Sequence, residues 1–171
     1  MPLDPVRAFE RVFRREHGAI VAFCFRRVND YELARDLAAE TFRIAWARWE
    51  EPRRSDRAWL YGVARNLIGA EYRRRTVTGT SVDRDLDAPT IKNDYLTVDV
   101  RQTLESLSET HQEVLRLTYW DGLRAAEIGE LLGITTSATW VRLSRARRAF
   151  TTAWQGQPVP VPNTAHERPA R

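Results

Sequence analysis

One segment of the chain, residues 124–148 (RAAEIGELLGITTSATWVRLSRARR), constrains the fold more than any other. It contains a short apolar helix pattern, a turn residue at Gly133, and a second helix pattern rich in arginine. Two short helices joined by a glycine-containing turn form a helix-turn-helix, and the second helix of that motif can enter the major groove of DNA. The segment therefore predicts a helical domain that reads duplex DNA.

The second helix of this segment separates into an inward face and an outward face. With Thr135 or Thr136 as its N-cap, residues spaced four, three and four apart share one face that packs on the rest of the domain. These inward residues are Thr139, Leu143, Ala146 and Phe150. The remaining side chains suit phosphates, guanine edges and thymine methyl groups, although a merely solvated basic face is the alternative. The predicted DNA-contacting residues are Thr136, Ser137, Trp140, Val141, Arg142, Ser144, Arg145 and Arg148.

Apolar residues recur at helical spacing along the rest of the chain, and no stretch alternates with a period of two long enough to indicate a sheet. Residues 76–97 combine small polar residues with four aspartates, which is typical of a flexible linker. Residues 155–171 contain four prolines, which favours a disordered or extended tail. We therefore expect an all-α protein with two small helical domains, residues 1–75 and 98–154.

A basic loop and the helix that follows it, residues 53–75, place arginines beside Trp59 and Tyr61. Arginine attracts the phosphate backbone and aromatic rings stack on bases, so this combination suits single-stranded DNA. The alternative is that Trp59, Val63 and Leu67 form core, which we expect for these three residues. The predicted contact residues are therefore the polar ones: Arg54, Ser55, Asp56, Arg57, Arg65, Asn66, Arg73 and Arg74.

The second predicted helix, from Asp30 to about residue 49, carries more apolar surface than a single core-facing stripe provides. One stripe consists of Leu33, Leu37, Thr41 and Ile44, and another, about 120° away, consists of Ala34, Ala38, Phe42, Ala45, Trp46 and Trp49. Two stripes indicate either a central bundle helix or a helix that also docks a partner, and both alternatives stay open. Asp36 and Glu40 are expected to be polar anchors at the margin. Since no nucleophile or metal ligand accompanies them, we expect no catalysis.

The composition argues against several other classes of protein. The net charge is +4 and Lys92 is the only lysine, so the basic groups are arginines, which suit bidentate contact with phosphate or guanine. A genome rich in G and C would produce the same bias. No run of residues is long and apolar enough to span a membrane, and residues 1–7 lack the apolar core of a signal peptide. We therefore expect a cytoplasmic protein without membrane insertion.

Cysteine and histidine usage gives no sign of metal chemistry. Cys24 is the only cysteine, which excludes an intramolecular disulfide, and its apolar neighbours predict a buried, inert thiol. His17, His111 and His166 do not stand at metal-ligand spacings relative to each other or to Cys24. We therefore expect no zinc site, no other metal and no cofactor.

Three motifs, taken in their order and spacing, resemble those of a known family. They are residues 34–46 (ARDLAAETFRIAW), 59–66 (WLYGVARN) and 142–147 (RLSRAR). On these motifs the chain, over roughly residues 6–154, is similar to bacterial RNA polymerase sigma factors of the extracytoplasmic function (group IV) type, within the sigma-70 family. The resemblance implies a promoter-specificity subunit with no enzymatic activity of its own, which binds core RNA polymerase and directs it to promoter DNA.

The resemblance also implies where each contact lies. The family's docking region for the clamp helices of the polymerase beta-prime subunit matches Asp36, Leu37, Glu40, Thr41, Phe42 and Trp46, which would account for the second apolar stripe. The loop and helix over residues 53–74 match the region that opens the minus-ten element and captures a flipped base. The second domain matches the reader of the minus-thirty-five element, which also docks on the polymerase beta flap. An anti-sigma factor is a further expected partner.

Several residues depart from the family pattern. Arg35 and Ala39 replace an acid and an amide in the docking motif. Arg124 stands where a serine or threonine caps the first helix of the helix-turn-helix, with an expected loss of about 1 kcal/mol. Trp140 and Val141 stand in a stretch that usually reads Gly-Thr-Val-Lys-Ser, and this apolar pair favours T-rich sites or contact with a protein.

Two other functions stay open at the level of sequence. One is a stand-alone helix-turn-helix regulator, which would bind duplex DNA without polymerase and usually as a dimer. The other is an interaction protein that keeps the polymerase-docking helix but does not select promoters.

Overall fold

The computed structural model describes residues 4–51, 53–77 and 98–156. These residues form seven helices and no strand: α1 (Pro5–Val28), α2 (Tyr31–Ala47), α3 (Asp56–Val77), α4 (Val98–Glu105), α5 (Glu109–Tyr119), α6 (Ala125–Leu132) and α7 (Thr136–Gln155). The prediction of an all-α fold is confirmed. Almost all of the predicted linker and tail, residues 78–97 and 157–171, lies outside the described residues.

Side chains at the predicted breaks cap the helices. Asp30 accepts a hydrogen bond from the backbone N–H of Leu33 at 3.0 Å and so starts α2. The residue before it, Asn29, ends α1 in the left-handed conformation with φ of 52°. Thr135, one of the two predicted caps of α7, accepts from the backbone N–H of Ala138 at 3.1 Å.

The start of α6 compensates for the missing serine or threonine cap. The Glu127 carboxylate accepts from the backbone N–H of Arg124 at 2.8 Å, which is one half of a capping box. The Arg124 guanidinium also donates to this carboxylate at 3.2 Å. Burial alone would raise the pKa of Glu127, but the hydrogen bonds from Arg124 outweigh it and lower that pKa. The expected loss of about 1 kcal/mol is therefore offset at least in part.

The core of the first domain lies where α1, α2 and α3 meet. Ile20 and Phe23 of α1, Ala38 of α2 and Leu60 of α3 are all fully buried there. Tyr61 is also fully buried, with its ring in edge contact with Phe23 at a centroid distance of 4.8 Å. Tyr61, which the sequence groups with Trp59 beside the basic loop but not with the predicted contact residues, is therefore a core residue. The helical register of α3 points this ring inward.

The second domain packs α4, α5 and α6 around the inward face of α7. Thr139, Leu143 and Ala146 are buried on that face and Phe150 is partly buried, so the predicted inward face is confirmed. The predicted turn residue, Gly133, has φ of 67°, a left-handed conformation that glycine adopts without strain.

The two domains are in direct contact, with α3 packed against α6. The backbone of Gly62 in α3 comes close to α6, since a Cβ at this position would lie 3.8 Å from Cδ1 of Leu131. Buried residues of both domains form one continuous apolar cluster. Polar and charged contacts surround this apolar contact.

Candidate nucleic-acid interface

The outward face of α7 presents the predicted duplex-reading side chains to solvent. Trp140 and Val141 are 54% and 50% exposed, which is unusual for large apolar residues away from an interface. Arg142 is half-buried. The other predicted residues are exposed: Thr136, Ser137, Ser144, Arg145 and Arg148. All eight predicted contact residues therefore lie on the outward face of α7 and its margins.

A further arginine joins this helix to the rest of its domain. The guanidinium of Arg147 donates to the hydroxyl of Tyr119 at 2.7 Å and lies 5.6 Å from the centroid of that ring. Tyr119 is the last residue of α5 and is itself exposed. The contact fixes the middle of α7 against the end of α5. No spacing signal in the sequence pointed to this pair, because 28 residues separate its members.

The loop before α3 is held by an arginine between two tryptophans. The guanidinium of Arg53 lies 4.5 Å from the Trp49 ring centroid and 4.3 Å from that of Trp59. It also donates to the backbone carbonyl of Glu51 at 3.1 Å, and its side chain is only 11% exposed. Arg53 therefore stabilises the loop, and the face of Trp59 that it covers does not stack on a base.

The predicted single-strand residues divide into an exposed group and a half-buried group. The exposed residues are Arg54, Arg65, Asn66, Arg73 and Arg74. Ser55, Asp56 and Arg57 are half-buried at the start of α3, and Ser55 caps that helix by accepting from the backbone N–H of Ala58 at 3.2 Å. The capping hydrogen bond of α3 is therefore made by Ser55, which is also one of the predicted DNA-contacting residues.

An ion pair positions the basic end of α3. Glu71 accepts from Arg74 at 2.7 and 2.9 Å and from Arg75 at 2.7 Å. These hydrogen bonds, first from Arg74 and then from Arg75, lower the pKa of Glu71 to about 2. The carboxylate is therefore charged at neutral pH and restrains both guanidinium groups.

Several predicted single-strand residues also contact the second domain. Arg57 donates to the backbone carbonyls of Asp121 at 2.7 Å and of Gly122 at 2.9 Å. Arg65 donates to the carboxylate of Glu113 at 3.1 Å. These two of the predicted arginines are therefore already bonded to carbonyl and carboxylate oxygens of the second domain.

The predicted docking residues of α2 occupy two different environments. Leu37, Thr41 and Phe42 are buried, and the Thr41 hydroxyl donates to the backbone carbonyl of Leu37 at 2.7 Å. These three residues therefore pack in the core beneath α2. The sequence had predicted that they contact the polymerase. Asp36 is exposed, Glu40 is partly exposed beside Arg43, and Trp46 is 48% exposed. The accessible part of the predicted docking residues therefore consists of Asp36, Glu40 and Trp46.

Trp46 belongs to an aromatic cluster between α1 and α2. The Phe9 ring lies 5.0 Å from the Trp46 centroid and 5.0 Å from the Trp49 centroid, in edge contact with both. Phe13 is 4.8 Å from the Phe42 ring and is partly exposed. The contacts of this cluster restrain the half-exposed indole of Trp46.

None of the helices in the described residues is both long and apolar enough to cross a membrane.

Comparisons with known proteins agree with this arrangement. The family profile described as Sigma-70 region 2 matches residues 12–78, and the one described as Sigma-70, region 4 matches residues 97–150. The RNA polymerase sigma factor YlaC of Bacillus subtilis is 32% identical over 156 residues, covering 82% of this chain and 88% of the relative. The ECF RNA polymerase sigma factor SigL of Mycobacterium tuberculosis is 31% identical over 154 residues, covering 84% and 87%.

Solved structures share the fold. The sigma factor RpoE of Bartonella quintana, in complex with the anti-sigma factor NepR, has a TM-score of 0.62 at 20% identity and covers 89% of this chain and 99% of its own. CnrH, in complex with the cytosolic domain of CnrY, has a TM-score of 0.59 at 25% identity and covers 89% and 90%. With region 2 in the first domain and region 4 in the second, the chain belongs to the extracytoplasmic function sigma factors, the promoter-specificity subunits of RNA polymerase.

Proposed function

We propose that the chain docks on core RNA polymerase through the exposed residues of α2 and the aromatic cluster behind them. The observation that carries this proposal is the 48% exposure of Trp46, a residue that proteins usually bury at least in large part. Its ring is held by Phe9, so little conformational entropy is lost when a partner covers it. Asp36 and Glu40 supply acidic groups on the same helix that would orient a basic partner surface.

In this proposal the first domain, residues 1–75, contacts the minus-ten element. Arg54, Arg73 and Arg74 are exposed along the loop and the end of α3, where they would attract the phosphates of a separated strand. Asn66, also exposed, supplies both a donor and an acceptor for a base edge.

The second domain, residues 98–154, would read the minus-thirty-five element with α7. Residues at the start of a recognition helix meet base edges, which suits Thr136 and Ser137. Arg145 and Arg148 suit phosphates or guanine, and Val141 suits a thymine methyl group. The protein would act in the cytoplasm without catalysing a reaction itself. An anti-sigma factor is a further proposed partner, because the solved sigma factor RpoE of Bartonella quintana is bound to one.

The proposal is tested by measuring the binding of core RNA polymerase to a fluorescently labelled Trp46→Ala variant. Buried tryptophans at interfaces commonly contribute at least about 2 kcal/mol, so we expect the dissociation constant to rise roughly 30-fold. Tyr31→Ala is the matched control, because Tyr31 is a similarly exposed aromatic residue at the other end of α2. Equal affinities for both variants and the unaltered protein would contradict docking through Trp46.

The same proteins would then be used for transcription in vitro from a library of genomic promoter fragments. Discrete start sites with shared upstream elements are expected for the unaltered protein and for Tyr31→Ala. Starts should be lost with Trp46→Ala at concentrations that saturate the control. Binding of polymerase without any new start would favour the interaction protein, and absence of polymerase binding would favour the stand-alone regulator.

A further inference from the structure

We propose that Trp140 and Val141, which we call the apolar pair, make the protein require thymine in the duplex that α7 reads. This inference rests on the proposed reading of the minus-thirty-five element by α7. It deepens that function, because it names the base and the two side chains that select it. The chemical group recognised is the 5-methyl group of thymine, which every A·T base pair exposes in the major groove.

The apolar pair lies near the start of α7. This helix begins at Thr136, so Trp140 and Val141 are its fifth and sixth residues. At about 100° per residue, Val141 points almost directly away from the buried Thr139 and Leu143, and Trp140 lies on one flank of the same outward face. The N-terminal residues of a recognition helix are those that contact base edges. The pair therefore stands where sequence is read.

The other side chains of this part of the helix discriminate poorly between bases. Residues 136–141 (TSATWV) contain no arginine, lysine, asparagine or glutamine, the side chains that make paired hydrogen bonds with guanine or adenine. They also contain no carboxylate to accept from cytosine. The hydroxyl groups of Thr136 and Ser137 can bond to any base. Apolar contact with a thymine methyl group is therefore the strongest discrimination that these residues can make.

Both members of the pair are accessible to DNA. Trp140 is 54% exposed and Val141 is 50% exposed. Among the described residues, no other aromatic ring packs on Trp140, whereas Trp46 lies in edge contact with Phe9. Exposed apolar side chains that adjoin each other are typical of surfaces that bind a partner. The pair therefore offers an apolar surface that the rest of the described chain leaves uncovered.

The charge of α7 favours a nucleic acid as that partner. Arg145 and Arg148, which lie one and two turns beyond Val141, are exposed and make no ion pair or hydrogen bond through their side chains within the described part of the chain. Residues 136–155 contain no acidic side chain at all. Free guanidinium groups bind phosphate oxygens, and phosphate contacts fix a helix in the groove. The apolar pair thus lies beside groups that complement the backbone of a duplex.

Removing the thymine methyl group measures the contact directly. Deoxyuridine pairs with adenine as thymidine does and differs only in having hydrogen at C5. Burial of one methyl group changes a binding constant about fourfold. Binding of a duplex that carries deoxyuridine at the contacted position should therefore be about fourfold weaker.

The contacted position is identified by selection. A promoter fragment that the protein transcribes with core RNA polymerase is prepared as a library in which the base pairs of the upstream element are randomised. Sequencing of the transcribed templates should show A·T base pairs enriched at one position or at two adjacent positions. An element without any such position would overturn the inference.

The affinity of the polymerase complex for the selected duplex and for its deoxyuridine form is then measured by fluorescence anisotropy. The unaltered protein should lose about fourfold with deoxyuridine, whereas Val141→Ala should bind the two duplexes equally, because the side chain that meets the methyl group is gone. Thr152→Ala is the matched control. Thr152 is exposed on the same face of α7, about three turns further along, and threonine has the size of valine. This control should keep the fourfold difference.

Two further variants separate base selection from backbone attraction. Arg148→Ala should weaken binding of every duplex alike and keep the deoxyuridine effect, as expected for a phosphate contact. Trp140→Ala should reduce the selection for A·T at the base pair next to the one that Val141 contacts. Circular dichroism checks that each variant remains helical.

Several outcomes would overturn the inference. If Val141→Ala shows the same deoxyuridine effect as the unaltered protein, another group reads the methyl. If Trp140→Ala and Val141→Ala weaken polymerase binding but leave base preference unchanged, the pair contacts a protein and not DNA.

Failure of the proposed function would look different, because no template would then be transcribed. In that case, duplexes are selected from the same library by the full chain alone. Deoxyuridine substitution in those duplexes then supports or overturns thymine reading without polymerase.

Discussion

Replacing Gly129 with alanine tests whether the helix-turn-helix depends on the absence of one methyl group. Gly129 lies inside α6, where alanine would normally be the better residue. A Cβ at this position would stand 2.8 Å from the carbonyl oxygen of Ile134 and 3.2 Å from the hydroxyl of Thr139. Ile134 cannot yield easily, since its backbone N–H donates to the Gly129 carbonyl at 2.9 Å. The turn between α6 and α7 must therefore move.

Two opposing effects set the magnitude. Alanine gains about 0.5–1 kcal/mol over glycine in a helix interior, largely through the entropy of the unfolded chain. Overpacking of a tight contact costs about 1–3 kcal/mol, and here the nearest neighbour is backbone rather than a flexible side chain. The steric cost exceeds the gain, so we expect a net loss of about 0.5–2 kcal/mol. For a chain of this size that lowers the melting temperature by about 1–8 °C.

Gly18→Ala supplies the control. Gly18 also lies inside a helix, but a Cβ there would meet no atom within 4 Å. The same substitution should therefore raise the melting temperature, whereas Gly129→Ala lowers it. Thermal unfolding followed by circular dichroism at 222 nm measures both. If Gly129→Ala stabilises the protein as much as Gly18→Ala does, the close approach of α6 to the turn is refuted.

Two further predictions concern titration. Burial, only partly offset by Arg27 and Arg26, raises the pKa of Cys24 to about 11, so Ellman's reagent should modify it at pH 8 only after unfolding. Because the unfolded thiol ionises first, the free energy of unfolding should fall as the pH rises from 9 toward 11. Cys24→Ala should make that slope shallower, and part of it should remain because burial also raises the pKa of Tyr61. Hydrogen bonds from Arg74 and Arg75 lower the pKa of Glu71 to about 2 from an ordinary value of 4.5. The stability they provide should be complete above pH 4.5 and lost toward pH 2, and denaturant titrations of Glu71→Gln should lack this contribution.

Helix boundaries and the faces of α7 could be predicted from the sequence because their causes are local. Capping residues such as Asp30 and Thr135 act within one turn, and the inward face of α7 follows from spacings of three and four residues. The same logic did not show that Tyr61 is buried. Arginine and tyrosine share α3, and periodicity gives their relative angle but does not say which side meets the core.

The sequence could indicate the candidate binding residues but not their partners. The Arg53 guanidinium lies between the rings of Trp49 and Trp59 because the loop folds back on α3. No rule of residue spacing predicts how that loop folds. Contacts such as Arg26 with Asp121 join residues 95 positions apart. In a chain with 27 basic and 23 acidic residues, pairing at that separation follows from tertiary structure alone.

The position of a charge pair decides what it does in this protein. A pair one turn apart on an exposed face, such as Glu40 with Arg43 on α2, contributes little to stability and leaves the arginine near solvent. The pairs between domains differ, because Asp121 is shielded from water and Arg57 is bonded to backbone that cannot rotate away. A basic surface built to attract phosphate also attracts the protein's own carboxylates and carbonyls. Those internal contacts must therefore be given up before the same guanidinium nitrogens could bind phosphate.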